Sequence, residues 1–436
     1  MVLKRNAQIS SILLRLISAV LTFLNGMALA RILGPETYGQ YVLILSWISL
    51  AYFAVTAGLP TLLLREISLS NPARDDAATR GVVLFALSVF GGLLLLCGLL
   101  FALVHRLPGV EMAVEEMSWI TGVIVAFWGL SILFENATRG LGHTSAGQMA
   151  ELVLRPGLGL VLFLGVAWLR GTGQVTETDA VLALLATTLA TAGFSGVVFW
   201  HHVREGWQRG AAQGARRPGA WRDWMRGALH NSVTNILLAM TLQISFLMVG
   251  RLAGDAELGL YRVGYQLSIV AGIGLLAAKA VVGPQVGSSL RNPEGEPVSR
   301  VMQRAIGTCL LFSLPLCGVL LLWPAPVLDL LYGARYAGTD TVLTLQVLAL
   351  GVIANSAFGP IDVALQVGRH DRMMMLAALV RIVLHLGLLV PLTRFFGIAG
   401  AAAAHTLALV AWCVIMLLAW KRRRPGAPGR DSSGST

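Results

Sequence analysis

Charged side chains are scarce in this chain of 436 residues. Asp, Glu, Lys and Arg make up 13% of it, whereas a soluble domain carries about 25%. Apolar residues make up 56%, and the mean hydropathy is +0.72. So few charges could not cover the surface of a soluble fold of this length. The composition therefore excludes a soluble globular protein and indicates an integral membrane protein.

Sequence motifs for catalysis are also missing. The chain contains no Gly-Lys-Ser/Thr, and therefore no Walker A motif for nucleotide hydrolysis. It contains neither His-Glu-x-x-His nor Gly-x-Ser-x-Gly. The predicted external loops are short, which argues against the catalytic domain of a membrane-embedded glycan polymerase or ligase. The sequence therefore favours a transporter over an enzyme.

Cysteine is rare, and no cofactor or metal is expected. Cys97, Cys309, Cys317 and Cys413 all lie inside apolar runs, without zinc spacing or a disulfide framework. The net charge of +11 does not indicate a nucleic-acid partner, because the arginines gather in alternate loops. That distribution is the one that membrane topology requires.

Long apolar runs dominate what is present. A spanning helix needs about 20 mostly apolar residues, and the runs are continuous rather than alternating, which excludes a β-barrel pattern. With the N-terminus inside, the cytoplasmic segments hold 23 of the 33 Lys and Arg residues when Arg155 and Arg304, at the cytoplasmic ends of their spans, are counted with them. The positive-inside rule then predicts that both termini are cytoplasmic. The predicted spans are 9–30, 39–61, 81–104, 118–138, 149–169, 179–200, 229–250, 259–281, 304–323, 341–362, 373–392 and 397–420.

An internal repeat divides these spans into two halves. The segment 30–41 returns at 250–261, and a glycine followed thirteen residues later by an arginine recurs in both halves. Six spans per half make the repeats parallel. We predict lobes at 1–200 and 229–420, a basic amphipathic cytoplasmic linker at 201–228 and a disordered tail at 421–436. The matching residues are Arg31, Gly34, Gly39 and Tyr41 with Arg251, Gly254, Gly259 and Tyr261, and Gly142 and Arg155 with Gly368 and Arg381.

Ionisable residues inside the predicted spans are mostly cationic. Each is costly in a bilayer unless it faces a cavity or a partner, so each is a functional candidate, with helix-end anchoring as the alternative. A cationic cavity suits an anionic substrate such as a phosphate. Glu135 and Asp362 lie at similar places in the two halves and are candidates for an ion-coupling site. The cations are Arg15, Arg155, Arg262, Lys279 and Arg381, and a third comparable acid is Glu151.

Three segments resemble a known family: 30–39 after the first span, Gly58-Leu-Pro-Thr-Leu-Leu-Leu-Arg-Glu66, and Phe396-Gly-Ile-Ala-Gly-Ala-Ala-Ala-Ala-His405. They are similar to segments of the polysaccharide biosynthesis exporters, which include the O-antigen and exopolysaccharide repeat-unit flippases of the multidrug/oligosaccharidyl-lipid/polysaccharide (MOP) superfamily. The resemblance implies an all-α protein of two six-helix lobes around a central cavity. It also implies a flippase that moves undecaprenyl-pyrophosphate-linked oligosaccharide across the bacterial inner membrane by alternating access.

The resemblance also suggests site residues and partners. Related lipid II flippases carry cations in their cavity, and the corresponding places in this chain are those of Arg15, Arg65, Arg262 and Lys279. Arg381 is a fifth substrate-binding candidate. An ion gradient or the membrane potential would supply the energy. Expected partners are the lipid-linked glycan, membrane lipids, a polysaccharide polymerase and glycosyltransferases. A multidrug/cation antiporter of the same superfamily remains the alternative, although that class is expected to place acids rather than arginines deep in its helices.

Overall fold

The computed structural model describes residues 2–70, 75–104, 118–212, 220–275, 282, 285–289, 297–367 and 371–422. These residues form helices joined by short turns, and none of them lies in a β-strand. The predicted all-α class is therefore confirmed. The chain divides into two compact units, Met1–Gly250 and Arg251–Thr436, called the N-lobe and the C-lobe below.

The N-lobe contains seven long or medium helices and one short one. Within it α4 (Ser118–Gly140) packs against α2 (Leu59–Ser70) and α7 (Glu177–Ala212), and α1 (Val2–Thr56) packs against α6 (Arg155–Arg170). Between α5 and α6 the chain makes a π-helical turn, Ala150–Leu154. The helices are α1 Val2–Thr56, α2 Leu59–Ser70, α3 Asp76–Val104, α4 Ser118–Gly140, α5 Thr144–Met149, α6 Arg155–Arg170, α7 Glu177–Ala212 and α8 Ala220–Ala253, whose last turn belongs to the C-lobe.

The C-lobe is organised around one central helix, α12 (Thr339–Phe358). It packs against α9 (Asp255–Ala271), α10 (Val298–Leu322) and α14 (Asp371–Arg422). A 3₁₀ turn, Ala334–Tyr336, precedes it. The hydroxyl of Ser356 on α12 donates to Ser313 on α10 over 2.9 Å, and both side chains are buried. The helices are α9 Asp255–Ala271, α10 Val298–Leu322, α11 Pro324–Tyr332, α12 Thr339–Phe358, α13 Pro360–Val367 and α14 Asp371–Arg422.

The helix lengths account for twelve spans. Nine segments within the described residues are long and apolar enough to cross a bilayer. Two of them, Leu13–Thr56 and Met373–Lys421, have 44 and 49 residues, about twice the length that one crossing needs. Each of these contains a kink and supplies two spans. With α9, which has 17 residues, the described chain contains twelve spans, as predicted.

The internal repeat of the sequence is also visible in the backbone angles of two glycines. Gly34 inside α1 has φ 77° and ψ 170°, and Gly254 before α9 has φ 100° and ψ 169°. These two glycines are the ones that align in the repeated segment. A residue with a Cβ is strained at such a φ, whereas glycine adopts it at no steric cost. The same local turn therefore joins the first two spans of each sequence repeat.

Residues 201–228 were predicted as a linker between the lobes. Residues 201–212 continue α7 and 220–228 begin α8, while 213–219 lie outside the described residues. The Trp224 ring packs against Phe85 of α3, with ring centroids 5.4 Å apart. The part of the segment that the structure describes is therefore helical, and its placement on the membrane surface stays a prediction. The tail beyond Arg422 lies outside the described residues.

A hydrogen-bonded cap begins α7. Asp179 is buried, and its Oδ2 accepts from the Thr176 N–H, the Thr176 hydroxyl and Arg170 Nη1, each over 3.1 Å. In return the Asp179 N–H donates to the Thr176 hydroxyl over 3.4 Å. This reciprocal pairing is a capping box, encoded by Thr176-Glu-Thr-Asp179.

Replacing Asp179 by alanine is expected to lower the free energy of unfolding by about 0.5–2 kcal/mol, because the N-terminal cap of α7 is lost. The measurement is thermal unfolding of the purified protein in detergent. Glu177→Ala is the control, since Glu177 lies in the same helical turn and takes no part in these bonds. Equal midpoints for the two variants would contradict the assignment.

Candidate functional site

The structure brings three of the seven predicted site residues into two groups, Glu135 into one in the N-lobe and Arg262 and Arg381 into one in the C-lobe. Lys279 lies outside the described residues. Arg65 is exposed on α2 and lies 3.6 Å from Glu66, its neighbour in the chain. Exposed pairs of this kind contribute little. The structure therefore gives Arg65 no fixed partner beyond Glu66 within the described residues.

An acidic residue is at the centre of the N-lobe group. Glu135 of α4 is 4% exposed, and its Oε1 accepts hydrogen bonds from Ser131 at 2.9 Å and Ser195 at 3.4 Å. The two hydroxyls are also 3.1 Å apart. Because α4 packs against α7, residues 60 positions apart meet at one carboxyl group. A buried carboxyl with hydroxyl donors is suited to take up and release a proton or a cation.

A buried arginine lies beside this carboxyl group. Glu151 lies within the π-helical turn and Arg155 directly follows it, and Arg155 Nη1 is 2.6 Å from Glu151 Oε2. The guanidinium carbon also lies 4.3 Å from the centre of the Trp128 ring, which stacks on Tyr52. The Nε and Nη2 groups of Arg155 are buried without a hydrogen-bond partner among the described residues. Glu135 is within electrostatic reach of both Glu151 and Arg155. We call these residues the N-lobe cluster: Tyr52, Trp128, Ser131, Glu135, Glu151, Arg155 and Ser195.

Two further arginines approach each other in the N-lobe. Arg15 of α1 is exposed at a position within a membrane span. It lies within electrostatic reach of Arg139 at the end of α4, whose Nη1 donates to Asn136 Oδ1 over 3.0 Å. An exposed charge at that depth is costly in lipid but not beside water. The pair therefore favours an aqueous, anion-attracting environment next to α1.

Arg139 was missed in the sequence because it lies in the last turn of its helix, where a basic residue is ordinary. Its partner Arg15 was singled out only by its depth. The two arginines come together because α1 packs against α4. This is a tertiary contact, which no local sequence pattern predicts.

The C-lobe group is cationic and aromatic. Arg381 of α14 is half-buried inside a span, and Tyr265 of α9 is an electrostatic neighbour of both Arg381 and Arg262. His385 lies one turn beyond Arg381, and its ring is 5.4 Å from that of His405. The His405 ring is in turn 5.6 Å from the Tyr265 ring. We call these five residues the C-lobe cluster: Arg262, Tyr265, Arg381, His385 and His405.

No acidic side chain within the described residues forms an ion pair with Arg381. Asp362, the other predicted ion-coupling residue, lies in the first turn of α13, after the helix break at Gly359. Glu135, by contrast, lies within unbroken α4. The two acids therefore occupy different local structures, although the repeat places them at similar points in the chain. Among the described residues, no cluster of His, Cys, Asp or Glu could hold a metal ion.

The comparisons with known proteins agree with this architecture. Residues 4–286 match the family model described as "Polysaccharide biosynthesis protein", which is more than half of the chain. The chain belongs to this polysaccharide biosynthesis protein family. Residues 232–390 also match the MatE family model. No curated protein matches the chain.

Solved structures of the MOP superfamily share the fold. An inward-facing multidrug resistance MATE family transporter is 18% identical, with 95% of this chain and 96% of that chain covered and a TM-score of 0.71. The lipid II flippase MurJ, in an inward closed conformation, is 12% identical, with coverages of 95% and 87% and a TM-score of 0.68. A MOP superfamily transporter from Pyrococcus furiosus is 17% identical, with coverages of 96% and 95% and a TM-score of 0.63. These likenesses confirm the two-repeat fold of this polysaccharide biosynthesis family member.

Proposed function

We propose that this protein is a flippase of the bacterial inner membrane that moves an undecaprenyl-pyrophosphate-linked oligosaccharide from the inner to the outer leaflet. The observation that carries the proposal is Arg381, held in an apolar span without an acidic partner among the described residues. An uncompensated cation at that depth is costly, and a pyrophosphate offers the charge that it lacks. The family match supports a role in polysaccharide assembly.

In this proposal the cations bind the pyrophosphate and the acids couple transport to an ion. Guanidinium groups bind phosphate oxygens through two parallel hydrogen bonds. Because the polyprenyl tail is apolar, it can remain in lipid while the polar headgroup crosses. Glu135 is the favoured coupling group, since its carboxyl is buried and already accepts two hydroxyl hydrogen bonds. The substrate-binding residues proposed are Arg15, Arg65, Arg262, Lys279 and Arg381, with Asp362 as a second coupling candidate.

The MatE match and the MATE structures favour one other function, export of organic cations. A cation substrate needs acidic side chains where it binds. The N-lobe cluster contains two such acids, Glu135 and Glu151, but Glu151 is paired with Arg155 there. The C-lobe cluster contains two arginines, two histidines and a tyrosine. Its charge therefore supports an anionic substrate.

Reconstitution distinguishes the two functions. The purified protein is placed in vesicles that contain a fluorescent undecaprenyl-pyrophosphate oligosaccharide in one leaflet, and its arrival in the other is followed by a membrane-impermeant quencher. A lipophilic cationic dye is tested in parallel under an imposed pH gradient. We expect the glycan lipid to cross at a rate that depends on the protein, without accumulation of the dye. Dye accumulation without movement of the glycan lipid would establish the antiporter instead.

A further inference from the structure

A polar cavity of about 860 Å³ lies in the N-lobe, apart from both clusters. It is formed by the end of α2, the start of α3 and the last turns of α7, at the end of the lobe where the sequence predicts the cytoplasm. Its volume falls within the range of about 300–1,000 Å³ that is usual for ligand pockets. The cavity is therefore large enough for a ligand of several rings.

The charges that line the cavity nearly cancel. Asp75, Asp76 and Glu205 face Arg80 and Arg209. Arg209 Nε is 2.7 Å from Asp76 Oδ2, and Asp75 Oδ1 accepts the Ala78 N–H at the start of α3 over 2.9 Å. The two guanidinium groups balance two of the three carboxylates, so the lining has a net formal charge of only −1 and attracts neither a pyrophosphate nor a multivalent cation strongly. Its lining suits a neutral, polar ligand.

His143 lies next to the cavity without adding to its charge. His143 packs on His202 with ring centroids 3.9 Å apart. Burial, and then the neighbouring His202 and His201, lower the pKa of His143 below its ordinary value. His143 is therefore neutral at pH 7 and adds no charge to this end of the lobe.

An aromatic face and an unmet donor are also present. The guanidinium carbon of Arg80 lies 5.4 Å from the centre of the half-buried Trp207 ring. The Arg80 Nε is buried and has no hydrogen-bond acceptor among the described residues. Arg80 also lines the cavity, and a guanidinium group can only donate, so it suits a hydrogen-bond acceptor on a bound ligand. Hydroxyl groups are acceptors of this kind and donate in turn to the carboxylates.

We infer that this cavity binds a sugar, namely part of the oligosaccharide headgroup on its way to the transport pathway. A pyranose has one apolar face of C–H groups, which suits the indole of Trp207. Its neighbouring hydroxyls match the paired atoms of guanidinium and carboxylate groups. The identity of the sugar as a transported headgroup rests on the proposed function, but binding in the cavity can be tested without transport.

The test uses the full-length protein in lipid nanodiscs. The probe is the water-soluble oligosaccharide released by mild acid from the undecaprenyl-pyrophosphate glycan of the cells that make this protein. Its binding is measured by isothermal titration calorimetry for the wild type, Trp207→Ala and Arg80→Gln. Trp200→Ala is the matched control, because Trp200 contacts Trp207 edge-on from the same helix but does not line the cavity. Unfolding temperatures identify any variant that misfolds, and Trp207→Tyr, which keeps an aromatic face, should retain most of the affinity.

We expect the wild type and Trp200→Ala to bind alike, Trp207→Ala and Arg80→Gln to bind about tenfold more weakly, and inorganic pyrophosphate not to compete. Absent binding, equal binding by all variants, or competition by pyrophosphate would overturn the inference. If the lipid-linked glycan is flipped in vesicles but the free oligosaccharide does not bind, only the sugar site is wrong. If the oligosaccharide binds as expected but its lipid-linked form is not flipped, the proposed function is wrong and the sugar site stands.

Discussion

Replacing Arg381 by alanine is expected to lower the affinity for the lipid-linked pyrophosphate about ten- to hundredfold, and to slow its flipping in proportion. A charge-assisted hydrogen bond contributes about 1.5–3 kcal/mol, and 1.4 kcal/mol corresponds to a factor of ten. Arg381 lies among Tyr265, His385 and Cys413, which leave its charge uncompensated. Arg381→Lys should retain part of the affinity, since the charge remains but the two-pronged geometry does not.

The stability of the variant separates a binding role from a structural one. An unpaired charge inside a span is costly to the folded protein. Its removal should therefore leave the unfolding temperature unchanged or raise it, while transport falls. Arg394→Ala is the control, because Arg394 is exposed on the same helix, near the kink at Phe396 and Gly397. If Arg381→Ala flips the glycan lipid normally, or loses activity only because it unfolds, Arg381 does not bind the substrate.

The large-scale fold could be predicted from the sequence because the bilayer fixes the length of each span. The turn glycines were also readable: Gly34 and Gly254 align in the repeat and adopt matching backbone angles. The helices were longer than expected, however. Residues 201–212 extend α7 beyond the predicted span. Arginines such as Arg204 and Arg209 are good helix formers, so the helix continues, whereas hydropathy shows only where the apolar part of a helix ends.

Only part of the candidate site could be predicted from the sequence. Depth in a span singled out Arg15, Glu135 and Arg381, because each interrupts an apolar run. It could not show that Ser195 meets Glu135, since that contact depends on how α7 packs against α4. Nor does any periodicity mark the π-helical turn that orients Arg155 toward Glu151 and Trp128.

Glu135 is the residue whose neutralisation should uncouple transport from an ion gradient. Glu135→Gln keeps the size of the side chain and an oxygen that accepts from Ser131 and Ser195, but it cannot exchange a proton or balance a cation. We expect this variant to bind the glycan lipid as the wild type does. We also expect the stimulation of flipping by an imposed ion or pH gradient to be at least about tenfold smaller than in the wild type. Coupling to a gradient needs a group that changes charge.

The matched variant is Asp362→Asn, which removes the acid at the corresponding point of the second repeat. Asp362 lies in the first turn of the short helix α13, whereas Glu135 is enclosed between α4 and α7. The Asp362→Asn variant should therefore keep its response to the gradient. Flipping is measured in vesicles with and without gradients of pH and of Na⁺, which also identifies the ion. A normal response by Glu135→Gln, together with its loss in Asp362→Asn, would place the coupling site in the C-lobe. A normal response by both variants would mean that neither acid couples transport, and that Glu135 serves only to join α4 to α7 through the hydroxyl groups of Ser131 and Ser195.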